Sequence, residues 1–287
     1  MKKIELDGVT YRYSPGTPFC KTALDGISVA FEENKITGLI GHTGCGKSTL
    51  VQLLNGLLTP TAGTVSLDGE DVNRKGNDMR KLRFRVGLVF QYPEYQLFEE
   101  TVAEDIAYGP KNMGLDKEEI ERRIEMALHF VGLDGSLKKV SPFDLSGGQK
   151  RRVAIAGILA MDPEVLILDE PAAGLDPSGR EEILGGIRAY QREKKNTVIL
   201  VSHSMEDMAR YADDLVVMRE GKLEMQGSCA EVFAQAERLT AVGLDVPQIT
   251  RLMGALKRRG VPVRTDIFTV EQAKEEILRL TGGPRHA

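Results

Sequence analysis

The 287-residue sequence has little of what several classes of protein require. It contains no tryptophan, and its three cysteines, Cys20, Cys45 and Cys229, form no C-x-x-C pair. Such scattered cysteines give no indication of a disulfide framework or a zinc site, and they fit a reducing compartment. The four histidines cluster neither with the cysteines nor with each other. We therefore expect no transition-metal site.

Long apolar runs and an excess of positive charge are also missing. The longest unbroken apolar stretch, from Val153 to Met161, is too short to span a bilayer. The N-terminus lacks the apolar core that a signal peptide needs. A net charge of −4 gives no overall attraction to nucleic acid. We expect a protein that lies in the cytosol or reaches a membrane through a partner, with no nucleic-acid partner.

The sequence is organised around a glycine-rich stretch over residues 41–49, GHTGCGKST. An apolar run before it predicts a strand, and the residues after it predict a helix. In that context G-x-x-x-x-G-K-[ST] indicates a phosphate-binding loop. The glycines let backbone N–H groups point at a phosphate, and the helix N-terminus adds about half a positive charge. The residues predicted to bind nucleotide here are Gly41, His42, Thr43, Gly44, Cys45, Gly46, Lys47, Ser48 and Thr49.

Two side chains of this loop carry its chemistry. Lys47 can reach the β- and γ-phosphates of a nucleotide, and the Ser48 hydroxyl can ligate Mg²⁺. Cys45 stands where serine is common in such loops. We expect alkylation of Cys45 to block nucleotide binding and ATP to protect the thiol.

Polar residues end the other predicted strands. Gln91, the pair Asp169 and Glu170, and His203 each follow an apolar run. Because the carboxyl ends of parallel strands meet at one edge of a sheet, we expect these residues to gather around the phosphate loop. Asp169 would hold Mg²⁺, Glu170 would polarise an attacking water, and His203 would bond the γ-phosphate. The structural alternatives are a helix cap for the carboxylates and simple packing for the histidine.

Tyr11 and Tyr13 lie on the first predicted strand, just before the turn over residues 14–18. An aromatic ring at such a place can stack on a nucleotide base. We favour Tyr13 for this role because it adjoins the turn, and we expect Tyr11 to lie in the core. The alternative is that both rings only pack on a sheet face.

A second glycine-containing stretch, LSGGQ at residues 145–149, opens another predicted helix. Its N-terminus makes a second anion site, to which Ser146, Gly147, Gly148 and Gln149 would contribute. One triphosphate could use both sites of a chain only if they faced each other. If they lie apart on one face, two chains packed head to tail would place the second loop of each over the nucleotide of the other.

Taken together, these motifs resemble the nucleotide-binding subunit of an ATP-binding cassette (ABC) transporter. The match includes the Walker A loop (41–49), the Q-loop residue Gln91, the signature (145–149), Walker B (165–170), the D-loop (174–176) and the switch residue His203. Within that family, the stretch FQYPEYQLF over 90–98, the insert over 13–19 and the C-terminal extension are similar to the energy-coupling factor (ECF) class.

The resemblance implies an α/β fold with a P-loop NTPase (RecA-like) core. We expect an ABC ATPase domain over residues 1–225, with an N-terminal antiparallel β subdomain and an α-helical insertion over about 92–160. Breaks at Gly109-Pro110 and Gly114 would divide the helices of this insertion. A small α+β extension, expected to serve dimerisation, would occupy residues 226–287, with Val261–Arg264 between its last two helices.

The resemblance also implies a function. The protein would be an ATPase that uses ATP and Mg²⁺ to power uptake of a micronutrient, a vitamin or a metal ion. Two ATPase subunits, identical or different, would form an ATP sandwich under a transmembrane coupling subunit, beside a substrate-binding membrane subunit. This assembly places the chain at the cytoplasmic face of the cell membrane as a peripheral protein. The alternatives are a soluble ABC ATPase of DNA repair or translation and a non-hydrolysing nucleotide sensor.

Residue roles follow from the same resemblance. Lys47, Gln91, Glu170 and His203 would form the catalytic set, and Gln91 would hold Mg²⁺ together with Ser48 and Asp169. Tyr13 would stack on adenine. An acidic run after Gln91 would receive arginines of the membrane partner, the alternative being a solvated helical face. That run contains Glu94, Glu99, Glu100, Glu104 and Asp105.

Overall fold

The computed structural model describes residues 1–281, so the last six residues of the predicted extension lie outside the described chain. The fold has ten strands among these residues. The strands are β1 (Lys2–Tyr13), β2 (Lys21–Glu32), β3 (Ile36–Gly41), β4 (Ala62–Leu67), β5 (Glu70–Asp71), β6 (Val86–Val89), β7 (Val165–Asp169), β8 (Thr197–Val201), β9 (Asp214–Arg219) and β10 (Lys222–Ser228).

Eleven α-helices connect and cover these strands in the described part of the chain. They are α1 (Lys47–Leu54), α2 (Met79–Arg85), α3 (Val102–Asn112), α4 (Lys117–Phe130), α5 (Gly147–Leu159), α6 (Pro177–Lys194), α7 (Met205–Tyr211), α8 (Cys229–Phe233), α9 (Ala236–Ala241), α10 (Gln248–Arg258) and α11 (Val270–Thr281). Within residues 1–281, no helix combines the length and apolarity needed to cross a bilayer.

The strands form two sheets. A four-stranded antiparallel sheet has the order β2-β1-β4-β5, and a six-stranded sheet has the order β10-β9-β3-β8-β7-β6. All neighbours in the larger sheet are parallel except β10 beside β9. The predicted mixed α/β architecture is confirmed. Parallel strands covered on both faces read as continuous apolar runs, which is why β3, β6 and β8 are buried throughout.

Two apolar cores lie on opposite faces of the larger sheet. Successive side chains of a strand point to opposite faces, so Ile36 and Ile40 of β3 join one core and Leu39 joins the other. The first core packs the sheet against the helical insertion. The second lies between the two sheets and includes Leu50 of α1. This sandwich fixes α1 and the loop before it at one edge of the sheet.

The helical insertion differs from its prediction at Gly109-Pro110. The expected break there is wrong, because α3 continues to Asn112, while Gly114 follows its end at φ +79°. Pro110 lies in the last turn, so it removes only a terminal helical hydrogen bond. A Cβ on Gly109 would lie 2.6 Å from Met161 Cγ. Glycine at this position therefore lets α3 pack closely against the segment that follows α5.

The C-terminal extension is helical rather than α+β in the described residues. After Ser228 these residues form only helices and connecting turns, and Val261–Arg264 forms no strand. Pro262 has no N–H to donate to a neighbouring strand. Helices α8 and α9 pack on the main core through Val232 and Leu239. Helices α10 and α11 instead share a small separate core, built by Met253, Val263, Ile267 and Ala273.

Candidate nucleotide-binding and catalytic site

The strand-end residues and the phosphate loop meet in one open cleft of about 350 Å³. The prediction that they gather at one sheet edge agrees with this geometry. The lining residues are Tyr13, Lys21, Ala23, Thr43, Gly44, Gly46, Lys47, Ser48, Thr49, Gln91, Asp169, Glu170 and His203. Sequence reasoning missed Lys21 and Ala23. The available signal was a basic residue at the start of the strand that follows the turn.

The loop presents backbone donors and one buried cation. Gly46 is the N-cap of α1, with φ +106° and no side-chain cap, so the first turn keeps unpaired N–H groups. A Cβ at Gly46 would lie 2.7 Å from the Ala23 carbonyl oxygen, which requires glycine. Lys47 Nζ donates to the carbonyl oxygens of Gly41 at 2.5 Å and of His42 at 3.1 Å. The ammonium group is thus held beside the loop backbone.

Ser48 and Asp169 bring two oxygen donors together at the base of the cleft. Ser48 Oγ donates to Asp169 Oδ2 at 3.3 Å, and Gln91 lines the same cleft. Burial raises the pKa of Asp169 more than the Ser48 hydrogen bond lowers it. In residues 1–281, no group of three or more His, Cys, Asp and Glu side chains could hold a metal. The set fits Mg²⁺, which prefers oxygen donors and binds through one or two carboxylates plus substrate phosphates.

Glu170, the residue after Asp169, has an unusual backbone conformation. Its φ of +54° is in the left-handed region, and its N–H donates to Val201 O at 3.0 Å. The carboxylate is only 13% exposed. Burial, and then the neighbouring Asp169 charge, raise the pKa of Glu170 to about 7.

His203 faces Glu170 from the next strand. Its Nε2 lies 3.3 Å from Glu170 Oε1, yet this buried oxygen accepts no well-oriented hydrogen bond from the described residues. Burial and the Lys47 charge lower the pKa of His203, so the imidazole is neutral at pH 7. Glu170 Oε1 is therefore a buried acceptor with free hydrogen-bonding capacity inside the cleft.

Tyr13 contacts the end of the phosphate loop from β1, and Cys45 is a buried residue of the loop itself. The Tyr13 hydroxyl lies 3.1 Å from Thr49 Oγ1, and its half-exposed ring meets Tyr11 edge-on at 4.9 Å. Cys45 is only 5% exposed, whereas Cys20 is exposed. The alkylation of Cys45 remains a prediction, and its burial means that a reagent must wait for the loop to open. Cys20 must first be replaced, because it would react sooner.

The signature residues do not line this cleft. Ser146 caps α5 in a capping box: Gln149 N–H donates to Ser146 Oγ at 3.3 Å, and Ser146 N–H donates to Gln149 Oε1 at 3.0 Å. Ser146 and Gly148 instead line a second cavity of about 380 Å³, together with Gly174 and Asp176. The two helix N-termini predicted to bind phosphate thus open on separate cavities of one chain.

A buried ion pair links the signature helix to the cleft. Arg151 is 4% exposed and donates to Glu94 at 3.0 and 2.8 Å. Its guanidinium also donates to the Ala173 carbonyl and lies 5.8 Å from the Tyr92 ring centroid. Burial alone would raise the pKa of Glu94, but the hydrogen bonds from Arg151 reverse this and lower it. Sequence reasoning missed Arg151, because it lies between Lys150 and Arg152 in the polar first half of α5 and no local pattern distinguishes it from them.

This pair corrects the expectation for the acidic run. Glu94 was expected to receive an arginine of another subunit, but Arg151 of its own chain already occupies both carboxylate oxygens. The segment directly after Gln91 is also not an α-helix. It forms a short 3₁₀ turn over Pro93–Gln96 and an irregular stretch, with bends at residues 99–101, before α3. Glu99, Glu100, Glu104 and Asp105 remain candidates for an external partner.

Comparison with known proteins identifies the class to which this fold and cleft belong. The family model described as "ABC transporter" matches residues 24–173. The chain belongs to the ABC transporter family. The membership predicted from its motifs is confirmed.

Within the family, the chain is similar to proteins named "Energy-coupling factor transporter ATP-binding protein EcfA2". The one from Caldanaerobacter subterraneus subsp. tengcongensis is 53% identical over 99% of both chains. The one from Clostridium acetobutylicum is 53% identical over 96% of this chain and 97% of its own. The predicted similarity to the ECF class is confirmed.

Solved structures agree with this likeness. CbiO1 of Clostridium perfringens, described as part of the ABC transporter complex cbiONQ, has a TM-score of 0.75 and 40% identity, covering 88% of this chain and 99% of its own. The ABC transporter cassette MJ0796, solved as a dimer, has a TM-score of 0.70 and 29% identity, covering 79% and 98%. A post-hydrolysis dimer of that cassette is described with ADP and Pi bound, at 28% identity.

Proposed function

We propose that this chain is the ATP-hydrolysing subunit of an ECF-type ABC transporter and energises uptake of a micronutrient, a vitamin or a metal ion. One observation carries the proposal: Lys47, Ser48, Gln91, Asp169, Glu170 and His203 converge on one cleft at the carboxyl ends of parallel strands. Cation, oxygen ligands, buried carboxylate and histidine are the parts that phosphoryl transfer to water requires. The names of the most similar relatives favour transport over DNA repair, translation or nucleotide sensing.

The residues divide the work of binding and hydrolysis. Loop N–H groups and Lys47 bind the phosphates, and the Tyr13 ring stacks on adenine. Ser48, Asp169 and Gln91 would hold Mg²⁺, which when bound neutralises charge that develops on the phosphoryl oxygens. Glu170 accepts a hydrogen bond from the attacking water through Oε1, the buried oxygen with free capacity. Its pKa of about 7 suits a general base at neutral pH. His203 bonds the γ-phosphate.

The second half of the site comes from another ATPase subunit. At the start of α5 the N–H groups of Gly147 and Gly148 lie outside the capping box and suit a phosphate, but this helix end opens on a different cavity from Lys47. Two subunits packed head to tail bring each signature over the other's nucleotide. The extension contributes to this dimer through exposed apolar side chains on α10 and α11, Leu252, Ile277 and Leu278.

A transmembrane coupling subunit binds an aromatic groove beside the helical insertion. We define the aromatic groove by Phe84, Leu97, Phe98, Tyr108, Val153 and Met161, which line a mainly apolar cavity of about 340 Å³. Phe98 and Tyr108 meet edge-on at 5.0 Å, and both are about half exposed. Exposed aromatic clusters of this kind mark protein interfaces. The groove adjoins the Q-loop segment, so an occupant bears on Gln91. The substrate-binding subunit then lies beside the coupling subunit, with this chain peripheral at the cytoplasmic face.

Acidic groups at the rim of the groove favour a basic partner. Asp105 lines it and accepts the Glu99 N–H at 3.1 Å. Burial raises the pKa of Asp105 more strongly than its backbone hydrogen bonds lower it. A half-buried carboxylate of this kind gains from an arginine, which supplies the charge and the paired donors that the backbone does not.

Co-purification with the membrane subunits tests this function. The chain, co-expressed with candidate ECF membrane subunits, is expected to form a complex that hydrolyses ATP and drives substrate uptake in vesicles. Phe98→Asp is expected to abolish the complex and leave ATP binding by the free chain intact. The matched control is Leu57→Asp, a half-exposed apolar residue outside the groove. A complex that tolerates Phe98→Asp would refute the groove as the docking site, and a complex without ATP-driven uptake would refute the function.

A further inference from the structure

The phosphate loop is in direct contact with the C-terminal extension. His42 Nε2 lies 2.8 Å from the carbonyl oxygen of Val242, although the two residues are 200 positions apart in the chain. A carbonyl oxygen can only accept, so the His42 ring carries its proton on Nε2 and donates it. The contact joins the second residue of the loop to the C-terminal end of α9.

Val242 is placed to accept this bond because α9 ends there. The last carbonyl groups of a helix have no partner within the helix. Val242 is the C-cap of α9, and the N–H groups of Gly243 and Leu244 turn back to Thr240 and Leu239. In the described residues, His42 is the hydrogen-bond donor found at the Val242 carbonyl.

Gly243 fits closely under the His42 ring. Its φ is +74°, and a Cβ built on it would lie 2.5 Å from His42 Nε2 and 3.0 Å from Cε1. Any side chain at Gly243 would therefore displace the imidazole. Gly260, after α10, shares the conformation with φ +86° but has no atom within 4 Å of such a Cβ. The two glycines differ in whether a side chain would meet the phosphate loop.

The support for this contact is well anchored. Leu239 and Val246, on either side of Val242, belong to the main core. Arg238 donates to the Glu224 carboxylate at 3.1 and 2.9 Å and to the Glu224 carbonyl oxygen, which ties α9 to β10. The position of the Val242 carbonyl is thus held by core packing and by hydrogen bonds to β10.

The other end of the contact leads to the nucleotide site. The His42 carbonyl oxygen accepts a hydrogen bond from Lys47 Nζ at 3.1 Å. A displacement of His42 therefore moves an acceptor of the ammonium group that binds the β- and γ-phosphates. Two hydrogen bonds connect the extension to this cation, one between His42 Nε2 and the Val242 carbonyl and one from Lys47 Nζ to the His42 carbonyl.

We infer that Val242 and Gly243 form a clamp on the phosphate loop and that His42 is the positioning residue through which the C-terminal extension sets the affinity for ATP. The inference rests on the proposed nucleotide site. It assigns to the extension a part in nucleotide binding beside its part in the dimer. A structural change that shifts α9 would move His42 and so change the position of Lys47.

A double-mutant cycle tests the clamp, with the dissociation constant of ATP measured by calorimetry and KM and kcat measured on the same full-length chains. Gly243→Ala is expected to raise Kd and KM by about 5- to 30-fold, the equivalent of 1–2 kcal/mol, and to change kcat little. Gly260→Ala, which carries the same backbone strain, is expected to leave Kd unchanged. His42→Ala is expected to raise Kd about fivefold, for one lost hydrogen bond, and His42→Gln to restore part of it through its amide N–H.

The double variant His42→Ala/Gly243→Ala gives the sharpest result. Because the clash needs the imidazole, this chain is expected to bind ATP no more weakly than His42→Ala alone. Equal effects of Gly243→Ala and Gly260→Ala, or fully additive effects of the two clamp substitutions, would overturn the inference. The calorimetric readout separates this failure from that of the proposed function, since a chain that binds ATP with the expected order of Kd values but never hydrolyses it would refute only the function.

Discussion

The helix α1 begins directly after Gly46 and α5 begins at Gly147, yet the surroundings of these two helix N-termini differ. The start of α1 has no side-chain cap and adjoins a cleft lined by the Lys47 cation, three polar side chains and the partly buried Glu170 carboxylate. The start of α5 is closed by its own capping box, and its cavity contains only Arg152 and the Asp176 and Glu182 carboxylates as charged groups. The first site holds the chemistry, and the second offers little beyond backbone donors.

Under the proposed function, this difference accounts for a second copy or a related subunit in each complete site. A helix N-terminus can stabilise phosphate charge, but it cannot activate water. The α1 cleft has a base but leaves one side open. The α5 cavity has donors, but the Gly179 N–H and Arg152 already engage its two carboxylates, Asp176 and Glu182. Arg151 connects the two regions within one chain. Its side chain extends from α5 and contacts both the Q-loop segment and the residues after Glu170.

Replacing Glu170 at the α1 cleft is expected to have the largest effect, because it removes the proposed base and leaves the α5 region unchanged. Glu170→Gln is expected to lower kcat by about 10²–10⁴-fold, the usual range for removal of a general base. ATP binding and an ATP-dependent dimer should persist, since neither needs the carboxylate. Steady-state hydrolysis and size-exclusion chromatography with ATP measure both effects. Glu193→Gln, on the exposed face of α6, is the control, and near-normal hydrolysis by Glu170→Gln would assign the base elsewhere.

Breaking the link between the regions should cost stability. Arg151→Met leaves Glu94 as an uncompensated, mostly buried carboxylate, a change that typically costs about 3–5 kcal/mol of unfolding free energy. Adding Glu94→Gln is expected to recover part of this loss. Arg152→Met, the adjacent residue with a more exposed pair to Glu182, should cost less than about 1 kcal/mol. Denaturant unfolding checks the series, and equal losses for Arg151→Met and Arg152→Met would contradict the buried link.

The Glu170 carboxylate of the α1 cleft should also lower the unfolding free energy as pH rises. The pKa of Glu170 is raised from 4.5 to about 7, so the folded state holds this proton more tightly than the unfolded state. Unfolding free energy should therefore fall between pH 4.5 and 7, by at most roughly 3 kcal/mol from this group. Glu170→Gln should remove that loss. Thermal unfolding of both chains at pH 5 and pH 8 tests this prediction, and we expect Glu170→Gln to be more stable than the parent only at pH 8. A difference in stability that does not depend on pH would contradict the account of a buried charge.

The sequence predicted the α1 cleft better than the contacts that support it. Gln91, Asp169, Glu170 and His203 could be placed together because each ends a parallel strand, and a sheet fixes the relation of its strand ends. Arg151 with Glu94, and His42 with Val242, depend on how helices pack on that sheet. No local pattern predicts such pairs, because their partners are 57 and 200 residues away.

The same limit explains the errors in secondary structure. Pro110 and Gly109 are strong local signals for a helix end, yet packing against Met161 keeps α3 helical to Asn112. The extension was expected to be α+β with Val261–Arg264 between its last two helices, but this segment pairs with no strand in the described chain. Local propensity is overridden where tertiary contacts decide the outcome.

Mixing two inactive variants tests most directly the claim that each site is built from two chains. Lys47→Ala removes the cation of the α1 cleft, and Ser146→Arg blocks the start of α5, so each pure chain is expected to lose hydrolysis. An equimolar mixture should recover roughly a quarter of the parent rate, because about half of the dimers are mixed and each holds one intact site of two. A mixture as inactive as its components, when the parent chain is active alone, would contradict the account.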